Sequence, residues 1–247
     1  MTAIWYPGPR YLLRKHCVLR LLRGLLPGRV LEVGCAQGNM LRTLAERGFS
    51  GLGVDLSEVA ARMASETLAG LEDRVQIALA GAEDGTGPYD CVVCFEVLEH
   101  IRDDQAALRR WRALLRSGGR LLLSVPAGPR RWGPSDEVVG HYRRYSRAGL
   151  HELLDRTGFR VEHLWCYGFP VANLSQYFGN RADRQRSAQT AAIPREERSA
   201  RSGVDAAALE PYRWLWSNPA FRVFCWLQTL FLHTDWGNGY IVRAQAV

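Results

Sequence analysis

The stretch Glu32-Val33-Gly34-Cys35-Ala36-Gln37-Gly38 narrows the choice of fold more than any other part of the chain. It closes a short apolar run, Arg29 to Val33, that reads as a strand. A strand that ends in an acid and then breaks at glycines must turn sharply, leaving its main chain open to close approach by a ligand. The glycines are spaced G-x-x-x-G, which misses the dinucleotide pattern G-x-G-x-x-G, and no lysine follows to grip phosphate. Such a turn suits a cofactor that carries an amino-acid end and a nucleoside but no phosphates. A purely structural glycine turn is the alternative.

The chain after this turn alternates strands with helices. Gly51 to Leu56, Val75 to Leu79, Tyr89 to Phe95, Arg120 to Val125, Phe159 to Trp165 and Gly239 to Ala244 read as further strands, making seven. Helices are expected over Asn39 to Arg47, after a Ser57 cap with Val59, Ala60, Met63 and Leu68 facing inward, over Asp103 to Leu115 with Gly118-Gly119 as its stop, and from a Ser146 cap to Arg156. Strands separated by helix-length segments imply a mostly parallel, doubly wound α/β sheet covered on both faces. Ligands in such sheets bind beyond the carboxyl ends of the strands. The expected division is a leader over 1–28, a cofactor-binding domain over 29–170 and 237–247, and an insertion over 171–236. Residues 9 to 26 of the leader form a basic, leucine-rich helix. The insertion is expected to pair a mobile loop over Asn180 to Gly203 with an aromatic helical cap containing Trp214, Trp216, Phe221, Phe224, Trp226 and Phe231.

Composition excludes little. The net charge of +7 in 247 residues invites a nucleic-acid or acidic-membrane reading, but Lys15 is the only lysine among 32 basic residues. An arginine, alanine, leucine and glycine bias of this kind is what GC-rich codon usage produces. The longest apolar stretch, Pro219 to Leu232, falls short of the about 20 residues of a bilayer span, and no signal peptide is apparent. A cytoplasmic protein with reduced thiols is expected. Cys91 and Cys94, three apart in a strand, point to opposite faces and cannot share a metal.

Three further segments carry chemistry. Val54-Asp55-Leu56-Ser57 ends the second strand in an acid 21 residues after Gly34, suited to accepting hydrogen bonds from both hydroxyls of a ribose, or else to capping the next helix. Glu96-Val97-Leu98-Glu99-His100 follows the fourth strand, where a cofactor and an acceptor should meet. His100 is read there as a general base near neutral pH or as a packing residue. Gly140-His141-Tyr142-Arg143-Arg144-Tyr145 precedes the Ser146 cap; His141 or Tyr145 offers a proton acceptor, and Arg143 or Arg144 an anion partner.

With LEVGCAQG, GVDLS, the GAED that precedes YDCVVCFEVLEHI, and LLRSGGRLLLSVP in order over about residues 29 to 166, the chain resembles the class I S-adenosylmethionine methyltransferases. More narrowly it is similar to the branch holding the ubiquinone-pathway O-methyltransferases and many small-molecule methyltransferases. The resemblance implies S-adenosyl-L-methionine as cofactor. The acid Glu32 and the backbone of Gly34, Cys35 and Gly38 would then hold the methionine end. Asp55 would hold the ribose, Leu56 would pack on adenine, Ala82 and Glu83 would sit at the adenine edge, and Phe95, Glu96 and Val97 would floor the site. The family's middle glycine is Ala36 here, which is tolerable if that residue keeps a negative φ. The leader, through Tyr6, Tyr11 and Arg14, would fold over the cofactor. In the resembling quinone-pathway enzymes the E-x-x-E-H element accompanies a magnesium-type ion, but the same letters occur in metal-free relatives, and no metal ligand is assigned here.

The expected reaction is methyl transfer to a nucleophile, chiefly a hydroxyl, on a partly apolar, lipid-like or aromatic small molecule, with peripheral membrane contact as one use of the aromatic insertion. Nucleic acid is not the expected partner: Cys94-Phe95-Glu96-Val97 stands where DNA amino-methylating enzymes carry a polar-Pro-Pro-aromatic motif. A non-catalytic binding module of the same fold is the competing reading.

Overall fold

A computed structural model describes residues 8–79, 86–190, 192–202 and 221–247. Seven strands form one sheet: β1 (Arg29–Val33), β2 (Ser50–Asp55), β3 (Val75–Leu79), β4 (Tyr89–Phe95), β5 (Leu115–Pro126), β6 (Phe159–Tyr167) and β7 (Gly239–Ala246). Their order is β3-β2-β1-β4-β5-β7-β6. β1 pairs in parallel with β2 and with β4, so chain direction across the sheet reverses at β1 and a crevice opens beyond its carboxyl end. β7 runs antiparallel between β5 and β6. This is the expected seven-stranded α/β sheet.

Among the described residues the α-helices are α1 (Pro9–Leu21), α2 (Asn39–Ala45), α3 (Glu58–Thr67), α4 (Asp104–Leu114), α5 (Pro134–Val138), α6 (Arg147–Arg156), α7 (Val171–Thr190), α8 (Arg195–Ser202) and α9 (Phe221–Leu227). Side-chain caps start α3, α4 and α6: Ser57 Oγ accepts from Ala60 N–H, Asp103 from Ala106 N–H, and Ser146 Oγ from Gly149 N–H.

Strand alternation sorts the core onto the two faces. Val92, Cys94, Leu121 and Leu123 join one cluster, with Trp111 and Leu108 of α4. Cys91, Val93 and Leu122 join the other, with Leu13, Val18 and Leu21 of α1. The two sulfurs of C-x-x-C thus lie on opposite faces, as expected, and all six cysteines are free and buried. α1 is also pinned by polar bonds. Buried Gln228 donates to Leu13 O at 3.0 Å and accepts from Gly168 N–H at 3.0 Å, and Arg243 donates to Leu21 O at 2.7 Å.

The structure departs from the sequence reading in three places. α4 ends at Leu114, and Leu115 is already extended. Gly118 and Gly119 therefore lie in the irregular start of β5 rather than stopping a helix; β5 shifts register against β4 between Tyr89 and Cys91. On α3 the buried face is Ala60, Ala64 and Leu68, whereas Val59 is 44% exposed. The i, i+4, i+8 set faces in because small side chains let the helix approach Gly38, whose hypothetical Cβ would stand 3.2 Å from Ala64 Cα. The stretch 180–203, expected as a mobile loop, carries the second half of α7 and then α8. Ala, Arg, Gln and Glu are good helix formers, and no Gly or Pro interrupts 180–190. Trp214 and Trp216 lie outside the described residues.

Leu121 is fully buried in mid-strand. Leu121→Ala should lower the unfolding free energy by about 2–5 kcal/mol, read from urea denaturation.

Candidate active site

The crevice beyond β1 opens into a cavity of about 1040 Å³, lined by the tips of β1, β2 and β4 and by parts of α1, α7 and α8. At its β1–β2 end, the carbonyl of Val54 accepts from both Gly34 N–H (2.9 Å) and Cys35 N–H (3.0 Å), folding the chain off the strand. Gly34 has φ 68°, and a Cβ there would collide with Val97 Cγ2; Gly38 has φ 73° and opens α2. Ala36 does not meet the condition under which a methyl is readily tolerated there: its φ is +45°, the left-handed region. Its methyl is carried at a cost because Asp55 clamps the turn, with Oδ2 accepting Ala36 N–H at 2.9 Å. Asp55 Oδ1 accepts Ser57 N–H at 2.9 Å, and each carboxylate oxygen keeps a second lone pair. Leu56 is 77% exposed at the lip. Glu32 is buried, and that burial lifts its carboxyl to about 8 against the pull of Arg14. Burial also drives the Cys35 thiol far up, so it stays neutral. Ala82, Glu83 and Tyr6 lie outside the described residues.

The floor is Phe95, Glu96 and Val97. Glu96 has φ 61° and is roofed by α1. Its carboxylate is paired with Arg10, lies 3.8 Å from Arg14, and accepts from Ser124 Oγ (2.8 Å) and Tyr167 OH (3.1 Å). Burial opposes its charge, but Arg10 and Arg14 hold the carboxyl down at about 2. Arg14 also stands 5.6 Å from the Tyr11 ring centre and 5.9 Å from that of Phe95. Sequence reasoning named Tyr11 and Arg14 for the leader's contact with the site; it missed Arg10 as the direct partner of Glu96.

The other end gathers groups from two separate loops. Leu98–His100 form a 3-10 turn, and Tyr142 N–H donates to Glu99 O at 2.8 Å, tying the 136–145 loop to it. His141 is buried; its Nδ1 is 2.8 Å from Asp136 Oδ1 and its Nε2 is 3.7 Å from Glu99 Oε1. In the neutral tautomer whose Nδ1–H donates to that carboxylate, Nε2 carries the lone pair. Asp136 also accepts from Arg144 Nε (2.8 Å) and Gly133 N–H (2.9 Å), and despite burial the bonds from His141 and Arg144 hold its carboxyl below the usual range. The His100 and His141 rings meet edge-on at 4.6 Å, and burial, then His141, presses His100 down to about 3. Burial and then the Glu96 charge push the Glu99 carboxyl well up. Asp136 escaped the sequence reading because nothing in its spacing from His141 and Arg144 signals contact.

Tyr145 does not reach this cavity. Its hydroxyl donates to Asp104 Oδ2 at 3.0 Å, its ring joins the core, and burial raises its hydroxyl far above the ordinary value. The Glu96-Glu99-His100 set does not converge either. Among the described residues, the metal-donor atoms lying within 4.8 Å of one another belong to Glu99, His100 and His141. The cavity wall from the insertion is Ala172, Ser175, Gln176 and Gly179 of α7, with Glu196 and Ser199 of α8, while Leu174, Tyr177 and Phe178 on the opposite face of α7 are exposed. Among the described residues, the aromatics of α9 and the turn after it do not line it.

A family model described as a methyltransferase domain matches residues 9–164, the stretch that builds β1 to β6 and most of this cavity. The chain belongs to that methyltransferase family. It is 34% identical over 119 residues to the ubiquinone biosynthesis O-methyltransferase of Bordetella avium (strain 197N), a match covering 46% of this chain and 48% of that protein. It is 38% identical over 107 residues to the namesake in Xanthomonas oryzae pv. oryzae (strain PXO99A), covering 41% and 44%. The chain spans about half the length of the curated relatives it matches, or less. Among solved structures it is similar to magnesium protoporphyrin IX methyltransferase from Synechocystis PCC 6803 with bound SAM (TM-score 0.54, 17% identity, 96% of this chain and 78% of that one). It is also similar to a geranyl diphosphate methyltransferase in complex with GPP and sinefungin (TM-score 0.58, 15% identity, 96% and 79%). At those identities the likeness establishes the methyltransferase fold.

Because the positive φ at Ala36 favours glycine, Ala36→Gly should raise stability by up to about 1 kcal/mol, measured as a shift in the urea midpoint.

Proposed function

We propose that the protein transfers the methyl group of S-adenosyl-L-methionine to a hydroxyl oxygen of a partly apolar small molecule. The carrying observation is that one cavity joins a turn suited to a phosphate-free nucleoside, at Gly34–Gly38 and Asp55, to the imidazoles of His100 and His141 at its far end. In this reading Asp55 accepts from the ribose hydroxyls. Glu32 and the main chain of Gly34, Cys35 and Gly38 hold the methionine end. Leu56 covers the adenine, and Phe95, Glu96 and Val97 form the floor. Ala82 and Glu83 keep their proposed place at the adenine edge.

The acceptor oxygen attacks the sulfonium methyl, the C–S bond breaks as the O–C bond forms, and S-adenosylhomocysteine leaves. Alignment in a shared cavity supplies much of the rate, and loss of the hydroxyl proton the rest. His141, aimed by Asp136, and His100 form the basic end that draws this proton off. Tyr145 serves by anchoring its loop to Asp104. The relatives' names support oxygen as the accepting atom. Leu174, Tyr177 and Phe178, exposed together on one face of α7, support a lipid-like or aromatic acceptor met at a membrane surface, since apolar side chains gathered on an exposed face mark interaction sites. No helix among the described residues is long and apolar enough to cross one.

Mass spectrometry of the freshly purified protein should find carried-over S-adenosylhomocysteine or its methylated parent; calorimetry with added S-adenosylhomocysteine that gives no heat would overturn the assignment. Asp55→Ala should weaken that binding tenfold or more, through loss of charged hydrogen bonds worth roughly 1.5–3 kcal/mol. His141→Ala should leave cofactor affinity near wild type and cut turnover by about 10²-fold or more once an acceptor is found. An unchanged rate removes His141 from the reaction.

A further inference from the structure

The two sides of the cavity are lined unlike one another. The large apolar side chains that reach it, among them Leu56, Phe95 and Trp111, come from the strand tips and α4. On the acceptor side, α5, the loop after it, α7 and α8 contribute, among the described residues, no leucine, isoleucine, methionine, phenylalanine, tyrosine or tryptophan; Val139 is the largest apolar group there. α7 is inverted relative to an ordinary amphipathic helix. Positions i, i+3, i+4 and i+7 make one helical face, the set that usually carries apolar side chains inward. In α7 that set is Ala172, Ser175, Gln176 and Gly179, turned to the cavity, while Leu174, Tyr177 and Phe178 are exposed.

We propose that this wall receives a polyhydroxylated ring, a sugar or cyclitol, as the head of the acceptor, and that one of its hydroxyls takes the methyl group. Gln176 turns its Oε1 to the Arg144 guanidinium, with Nη1 at 3.2 Å, which leaves both amide N–H groups to donate. Glu196 accepts from Tyr142 OH at 2.6 Å and keeps further lone pairs, and Ser175 offers a hydroxyl that both donates and accepts. Donors and acceptors interleaved in this way are matched by a ring that carries a hydroxyl on several carbons, because each hydroxyl can do either. Ala172 and Gly179 keep the wall between them free of bulk.

Two other heads fit less well. Among the described residues, Arg144 is the one guanidinium that the segment from α5 to α8 turns to the cavity, and Asp136 already holds it, so the wall has no free cation for a phosphate or carboxylate. A flat aromatic ring would set carbon against Ser175 and the Gln176 amide, and sites built to hydrogen-bond a hydroxyl reject analogues that lack it by about 10⁴-fold or more. The chemistry is that of the proposed reaction: the ring oxygen bonds the methyl carbon as the C–S bond breaks, and its proton passes to Nε2 of His141. This inference rests on the methyl-transfer reading and narrows it. The polar head enters the cavity, and the apolar part of the acceptor stays outside, along Leu174, Tyr177 and Phe178.

The test offers the full-length chain S-adenosylmethionine with a trideuterated methyl group and a panel of acceptors bearing one octyl chain. The panel holds octyl glucoside, galactoside, mannoside, rhamnoside and xyloside, octyl inositol ether, 4-octylphenol and 4-octylcatechol. Mass spectrometry reads the trideuteromethyl ethers. At least one glycoside or the inositol ether should be methylated, with kcat/KM about 10²-fold or more above either phenol. Gln176→Glu keeps an oxygen for Arg144 and removes the amide donors. It should raise KM for that acceptor about tenfold or more with kcat within about threefold, and Ser175→Ala should act in the same direction. Far-UV circular dichroism and unchanged S-adenosylhomocysteine affinity establish that both variants are folded. Failure to methylate any glycoside or the inositol ether overturns the proposal, as does faster methylation of a phenol, or KM unaltered in both variants. S-adenosylhomocysteine calorimetry on the wild type separates the two readings. Binding together with methylation of the phenols alone removes the sugar-like head and leaves methyl transfer standing, whereas absence of binding removes methyl transfer itself.

Discussion

One carbonyl does disproportionate work in this fold. Val54 O, at the end of β2, takes the N–H groups of Gly34 and Cys35 together, so β1 cannot run on and its chain is thrown sideways into α2. The Asp55 carboxylate, one residue on, completes the clamp by taking Ala36 N–H. The crevice exists because these bonds end β1 while its neighbours on both sides run parallel to it. They also hold Ala36 in a conformation that L-residues avoid, a local strain at the place where a ligand would approach main chain.

The cavity built on that turn has two ends of opposite electrostatic character. At the floor, two guanidiniums surround Glu96 and keep it ionised despite burial. At the far end, Glu99 lacks such a partner, and His100 is kept neutral by burial. Two carboxylates three residues apart are thus driven in opposite directions. The cause is that α1 lays Arg10 and Arg14 against one and not the other. The leader helix is therefore part of the site's chemistry as well as of its roof.

Asp136 plays the same organising part for the acceptor end. It lies in the short helix α5, and its carboxylate is saturated by His141, Arg144 and a backbone N–H. Tyr145 extends this scaffold by bonding to Asp104 at the start of α4, and Tyr142 N–H bonds to the Glu99 carbonyl. A loop rich in rings and charges is in this way made rigid, and His141 is its one imidazole turned toward the cavity.

The strand-helix rhythm, the glycine turn, the Asp55 strand end, the Ser57 and Ser146 caps and the opposed faces of Cys91 and Cys94 were all legible in the residues. Each is a local property of a few neighbours, set by side-chain period, backbone freedom or a cap. What the residues did not disclose was decided by distant packing. Arg10 meets Glu96 across 86 positions. The stretch expected to be a mobile loop became helix once α7 had one face to lay against the cavity. The positive φ at Ala36 is set by the Val54 and Asp55 clamp. Asp136, His141 and Glu99 converge only because two loops close over the same strand ends, and one-dimensional spacing has no means of encoding a contact that the third dimension makes.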